Sequence, residues 1–191
     1  MTKIYAIRVS DIKDKEDLLM NIVGKWRREK AKTFYRLDDR LRSLAVGYLI
    51  ERYLPGFSAD KLSIGKDGKP FLRNGIAFSA SHGGDFAVLA WDDVAKGIGV
   101  DVEPIKDMDN FEDMLPMYAT TREQESVGNN AKKALWLWTR KESLYKCIGE
   151  GVTDPSELPE VLADNVCFFG KNCHLATIEK EDHIFSLALI N

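Results

Sequence analysis

Apolar positions along this chain switch between two rhythms, and the switches outline its elements. "KIYAIRV" (3–9) reads as a first strand, and from there to about Pro55 the spacing turns helical. The clearest helix is "DDRLRSLAVGYLIERYL" (38–54), with Asp38 or Asp39 as N-cap and Leu41, Leu44, Ala45, Tyr48 and Leu49 along one side. "KDGKP" (66–70) is a turn by its Asp-Gly and Lys-Pro pairs. "IAFSAS" and "FAVLAW" flank "HGGD" as a hairpin, and "GIGVDVE" (97–103) is the next strand. Helices return from Asp109 to Cys147. "NVCFFG" and "CHLATIEKEDHIFSLALI" close the chain as strands, the second a hairpin around "KED". This order predicts an α+β fold of two similar halves, 1–96 and 97–191, in a pseudo-two-fold arrangement with no linker.

Hydrophobic residues make up 45% of the 191, ample for a packed interior, and no apolar run approaches the roughly 20 residues of a membrane span. The opening lacks the basic-then-apolar pattern of a signal peptide, so a soluble, cytoplasmic protein is expected. Cys147, Cys167 and Cys173 are odd in number and show no C-x-x-C pairing, which favours free thiols over a disulfide framework or a zinc site. Net charge is −3, yet residues 25–42 carry a local +5 and residues 107–125 a local −5. A basic patch on an acidic protein points to a small anionic ligand rather than nucleic acid. A solvated helix face explains the same charges.

Three stretches carry candidate chemistry. In "GIGVDVEPI" (97–105), Ile98, Val100 and Val102 point one way and Gly99, Asp101 and Glu103 the other. Two carboxylates about 6.7 Å apart on one strand face repel unless a cation sits between them. Mg2+ favours one or two carboxylates plus phosphate oxygens, and Gly99 leaves room for a bulky ligand. An exposed edge with solvated acids is the plainer alternative. In "LWLWTRKESLYKCIGEG" (135–151), Leu135, Trp138, Glu142 and Tyr145 share a helical stripe, which puts Glu142 where an apolar residue belongs. Lys146, four residues on, either pairs with Glu142 structurally or contacts phosphate while Glu142 serves as a third metal ligand. In "FSASHGG" (78–84), His82 ends a strand beside a glycine turn whose backbone N–H groups suit phosphate, or is simply a turn residue.

In this order the pieces resemble the 4′-phosphopantetheinyl transferases, in particular the larger, monomeric Sfp-type branch named for the surfactin synthetase activator, which implies a monomer. The matching residues are "GKPFL" (68–72), "FSASHGG", "GIGVDVEPI", "WTRKESLYKCIGEG" (138–151) and "REKAKTFYRLDDRLRSLAVGYLI" (28–50). The specific signal is G-[IV]-D-[IV]-E followed 35–40 residues later by W-x-x-K-E-[SA]-x-x-K. Ser79 and Gly83 stand within the family's variation around the histidine. Arg140 replaces a commoner hydrophobic residue and should lie on the outside of its helix. The likeness spans most of residues 1–155.

The resemblance implies transfer of phosphopantetheine from coenzyme A to a serine of an acyl or peptidyl carrier protein, releasing 3′,5′-ADP, at a site between the halves. It implies Mg2+ on Asp101, Glu103 and Glu142, and phosphate contacts from Lys146, Ser81 and His82. Lys69 and Pro70 would line the adenine pocket. Arg27, Lys30, Arg42 and Ser43 are candidates for the 3′-phosphate. Glu123 stands where the family has a helix acid assigned as base. The alternative for it is a first-turn acid after Thr120 or Thr121, and a metal-bound water is the other base. Neither nucleic acid nor membrane is an expected partner. Two readings of other kinds remain: a Mg2+-dependent nucleotide phosphohydrolase without a protein substrate, and an inactive CoA-binding regulator, which the intact acids argue against. Finally, "MDNFEDMLPMY" (108–118) holds three of the chain's five methionines, adaptable side chains suited to carrier docking. Phe111, Met114 and Leu115 equally fit a helix packed into the core, and the segment after Gly149 is a second docking candidate.

Overall fold

The computed structural model describes residues 1–65, 68–73, 75–106, 110–149 and 155–191, and the fold is α+β. The expected turn at Lys66 and Asp67 lies partly outside the described residues. In the first part of the chain, β1 (Lys3–Arg8), β4 (Ala77–Gly83) and β5 (Phe86–Asp92) form an antiparallel sheet in the order β1-β5-β4. Strands β2 (Leu62–Ile64) and β3 (Pro70–Leu72) make a small separate pair. Helices α1 (Glu16–Ile22), α2 (Lys25–Lys32) and α3 (Leu37–Tyr53) lie between β1 and β2 in the chain.

In the second part, β6 (Gly97–Pro104), β7 (Asn165–Phe168), β8 (Lys171–Lys180) and β9 (His183–Ile190) form an antiparallel sheet in the order β6-β9-β8-β7. Helices α4 (Phe111–Met114), α5 (Thr121–Val127) and α6 (Ala131–Ile148) fall between β6 and β7. The β8–β9 turn has Glu181 and Asp182 at positive φ, where the "KED" hairpin was expected.

Each sheet has its covering helix. Ala45, Val46, Leu49 and Ile50 of α3 pack on Phe78, Ala87 and Leu89. Leu137, Leu144 and Cys147 of α6 pack with Leu175, Ala188 and Ile190. Between the two, Phe86, Val88 and Ala90 of β5 meet Ile98, Val100 and Val102 of β6. Both faces of β5 and β6 are thus covered, which is why the two strands are buried at nearly every position.

Helix α3 departs from expectation in two ways. It begins one residue before Asp38 with Arg36 as N-cap and no side-chain cap, so Asp38 and Asp39 sit in the first turn, where the helix dipole favours acids. Its burial also runs almost all the way round. Leu41 and Leu44 pack with Val9, Leu19 and Val23 on the side away from the sheet. No helix among the described residues is long and apolar enough to cross a membrane.

Candidate active site

The β4 edge of the first sheet meets the β6 edge of the second, and serine hydroxyls join them. Ser79 Oγ accepts the Val100 N–H (3.1 Å), and Ser81 Oγ donates to Asp101 Oδ1 (2.8 Å). On the other side, β6 lies close against α6. A Cβ on Gly99 would stand 1.9 Å from the Ser143 carbonyl oxygen and 2.5 Å from the Cys147 nitrogen. The glycine therefore admits the helix backbone rather than a ligand, which corrects the sequence reading. The same approach explains why the two motifs occur together: a glycine on β6 and a small residue on α6 bring Glu142 and Lys146 beside Asp101 and Glu103.

The cleft so formed has a volume of about 470 Å3. Its walls include Asp101, Glu103, Glu142 and Lys146, and also Arg27, Lys30, Lys69, Pro70, Ser81 and His82. Lys146 Nζ contacts Asp101 Oδ1 (2.6 Å), Ser81 Oγ (3.1 Å) and, more distantly, Glu142 Oε2 (3.9 Å). The predicted Glu142–Lys146 pair is thus the weaker contact of this ammonium. Asp101 is buried, not solvated, and its Oδ2 has no hydrogen-bond partner among the described residues. Burial raises the Glu103 carboxyl to about 7, aided by Asp101 and Glu142 and opposed by Lys146. Burial also raises Glu142. The stripe carrying Glu142 lines the cleft with Trp138 and Tyr145, so this glutamate is half-buried there rather than set in the core.

Among the described residues, Lys146 is the ammonium in ion-pair contact with these carboxylates. An orphaned buried oxygen and two acids held toward protonation fit a hard cation. Among the described residues no three Asp, Glu, His or Cys side chains are already gathered as a metal-ligand cluster.

The basic wall comes from α2. Arg27 is buried, donates from Nε to the Ser43 carbonyl (2.7 Å), and is lowered to about 10 by that burial. Lys30 is exposed at the rim, its pKa lowered by partial burial and by Arg27. His82 is held down to about 4, first by the surrounding protein and then by Arg27, Arg42, Lys146 and Lys30, so the ring is neutral at pH 7. Lys69 Nζ donates to the Ile98 carbonyl (3.1 Å) and to the Lys146 carbonyl, tying the β2–β3 region to β6 and α6. Arg42 donates to the Gly84 carbonyl (2.5 Å) and to Asp39 (2.6 Å) in an adjoining hollow of about 290 Å3.

Three expectations need correction. Ser43 is fully buried and its hydroxyl has no partner among the described residues; what it offers is the carbonyl that holds Arg27. Glu123 is not on the cleft wall. It is fully buried and saturated by the Lys141 ammonium (2.9 Å), the Thr120 N–H (2.8 Å) and the Val161 N–H (2.7 Å). With Thr120 Oγ1 accepting the Glu123 N–H, this is a capping box on α5, the structural alternative foreseen for this acid. Arg140 lies inside. It is 1% exposed, stacks over Trp136, and donates to the Val161 and Ala163 carbonyls, Asp164 and Thr177.

Segment 108–118 divides. Phe111 and Leu115 are core, whereas Met114 and Met117 are exposed, Met117 by 70%. Met108 and the stretch 150–154 lie outside the described residues.

A model of the 4′-phosphopantetheinyl transferase superfamily matches residues 97–183, the stretch that carries β6, α6 and the acids. The 4′-phosphopantetheinyl transferase ffp of Bacillus subtilis is 28% identical, over 80% of this chain and 73% of its own length. The transferase psf-1 of Bacillus pumilus is 28% identical, over 79% and 70%. Sfp of Bacillus subtilis strain 168 is 25% identical, over 80% and 73%. Residues 97–183 thus match the 4′-phosphopantetheinyl transferase superfamily, and the chain as a whole is similar to curated enzymes of that class. Its likeness to Sfp, psf-1 and ffp extends well beyond the matched segment into the first half.

Proposed function

We propose that this enzyme moves the 4′-phosphopantetheine of coenzyme A onto a serine of an acyl or peptidyl carrier protein, uses Mg2+, and releases 3′,5′-ADP. The observation that carries this reading is the meeting, in one cleft, of an acidic wall (Asp101, Glu103, Glu142) held with Lys146 and a basic one (Arg27, Lys30). In this reading residues 1–96 and 97–191 are the two halves, the cleft lies at their junction, and the protein works as a cytoplasmic monomer without nucleic acid or membrane. Incubating a carrier protein with CoA, Mg2+ and the enzyme should add the mass of one phosphopantetheine to the carrier. Breakdown of CoA with no change in carrier mass would favour the phosphohydrolase instead.

Asp101, Glu103 and Glu142 would hold Mg2+, which when bound supplies positive charge against the CoA pyrophosphate. Lys146 and His82 donate to phosphate oxygens, His82 gaining its proton as the anion enters. Lys69 and Pro70 border the adenine. With Glu123 walled off, the proton of the incoming serine passes to a cleft carboxylate. Glu142 suits that task by position, half-buried on the cleft wall beside Lys146.

The basic wall is assigned to the 3′-phosphate. A charge-assisted contact to phosphate is worth about 1.5–3 kcal/mol. Lys30→Ala should therefore weaken CoA by roughly tenfold or more and 3′-dephospho-CoA far less. Equal losses on the two ligands would remove Lys30 from that phosphate.

The carrier is assigned to the surface that bears Met114 and Met117. Met117→Asp should raise the KM for the carrier several-fold and leave the KM for CoA and the Tm nearly unchanged. An unaltered carrier KM would move docking elsewhere.

A further inference from the structure

Helix α2, which carries Arg27 and Lys30 to the cleft, is poorly suited to be a helix by itself. Its sequence "KWRREKAK" has five basic residues and one acid. Basic residues occupy its first turn, no acid does, and its N-cap, Gly24, offers no side chain. Cations at a helix N-terminus oppose the dipole, and the first N–H groups lack partners. A length of eight residues adds little stability of its own.

What α2 lacks, α3 supplies. Ser43, Gly47 and Glu51 recur every fourth residue and so share one face of α3. Each meets α2 differently. The Ser43 carbonyl accepts Arg27 Nε (2.7 Å). Gly47 is the gap through which Arg27 passes: a Cβ there would stand 2.5 Å from Arg27 Cγ and 2.8 Å from Val23 Cγ1. Glu51 takes the Gly24 N–H on both carboxylate oxygens (2.9 and 3.1 Å) and the Trp26 indole N–H on Oε1 (2.8 Å). Trp26 in turn lies under the Arg27 guanidinium, 5.7 Å from ring to Cζ.

We infer that this face of α3 is a rail that sets the rotation and seat of α2, and that Glu51 is a positioning residue for recognition of the CoA 3′-phosphate. Its charge caps α2 against the dipole, and its bond to Trp26 fixes the ring on which Arg27 rests. Arg27 and Lys30, three residues apart on α2, then both reach the cleft. Glu51 itself is not among the residues of the cleft wall, so it acts through α2 alone. The inference rests on the assignment of Arg27 and Lys30 to that phosphate.

The test measures binding of CoA and of 3′-dephospho-CoA to the full chain by calorimetry, with kcat and KM in the transfer assay. Glu51→Gln keeps the shape and one acceptor but removes the charge. It should weaken CoA about three- to tenfold, raise the KM for CoA alike, and leave kcat and the affinity for 3′-dephospho-CoA within about twofold. Glu51→Asp should recover part of the loss. Gly47→Ala displaces Arg27 without touching a charge and should give the same split, which keeps the test decisive if Glu51→Gln folds poorly. Lys30→Ala serves as the reference. If it discriminates the two ligands and the Glu51 and Gly47 variants do not, the inference is overturned while the phosphate assignment stands. If Lys30→Ala fails to discriminate, the assignment falls and the inference with it.

Discussion

Asp101→Asn should reduce carrier modification by at least about a hundredfold, the scale seen when a preorganised charge-stabilising group is lost at a reacting centre. The side chain keeps its size and its contact with Ser81 but gives up its charge. The fold should survive. Lys146 is 24% exposed and retains Ser81 and Glu142, so its ammonium is not stranded. A second readout follows the metal without turnover. In the folded protein Glu103 titrates near 7, above its ordinary range, so the folded chain holds a proton that the unfolded chain has already lost. Stability from this group is present at low pH and is lost as pH rises through about 4.5 to about 7. A cation bound among the acids reverses that loss but must displace the proton to enter. Mg2+ should accordingly raise the Tm of the wild-type protein more at pH 8 than at pH 6, and should not raise that of Asp101→Asn at either. Most of the activity surviving in Asp101→Asn at saturating Mg2+ would end the metal assignment, as would a Tm shift indifferent to the substitution.

How much of this site was legible in the sequence depends on what each residue type says alone. Asp101, Glu103 and Lys146 announce themselves, because charged residues amid apolar alternation need a reason. Gly99 says only that a Cβ is missing. It does not say whether a ligand or a backbone fills the space, and here the α6 backbone does. Glu142 stands out in its stripe as a charge where the spacing predicts a core face, but the stripe faces the cleft, and helical periodicity does not tell a cleft face from a core face. Arg140, a charge in place of a commoner hydrophobic residue, is expected on the outside and lies inside. Its burial depends on carbonyls of Val161 and Ala163, more than 20 residues away, which no local pattern reveals. Glu51 was missed altogether. Its partner is the uncapped start of α2, and the available clue was a helix with cations in its first turn and a glycine before it. For the fold, the strands and the long helices followed their periodicity. The boundary of α3 shifted because two aspartates suit a first turn as well as they suit a cap.

The Lys141–Glu123 pair should prove the most costly polar contact in the molecule to break. The two side chains are 1% and 0% exposed and stand 2.9 Å apart. Lys141 also donates to the Pro159 carbonyl (3.0 Å) and the Leu158 carbonyl (3.3 Å), and Glu123 receives two backbone N–H groups. The pair therefore ties α5 and α6 to residues 158–161, a stretch without strand or helix of its own. Lys141→Met leaves the Glu123 carboxylate buried with no cation, a change that typically costs about 3–5 kcal/mol. Glu123→Gln added to it removes the stranded charge, so the double variant should regain a large part of the loss, with a coupling on the order of 1–3 kcal/mol in a double-mutant cycle. The same set of variants decides the role of Glu123. A residue that serves only to hold α5 and α6 should leave kcat nearly unchanged per folded molecule in Glu123→Gln, once the assay is run well below the lowered Tm. If Glu123 were the base that accepts the serine proton, kcat would fall by about a hundredfold or more, and the second substitution would not restore it. Urea titrations at pH 7 read the first quantity and transfer rates on the surviving folded protein read the second. Additive stability losses in the double variant would show that the buried pair is not the contact joining these elements.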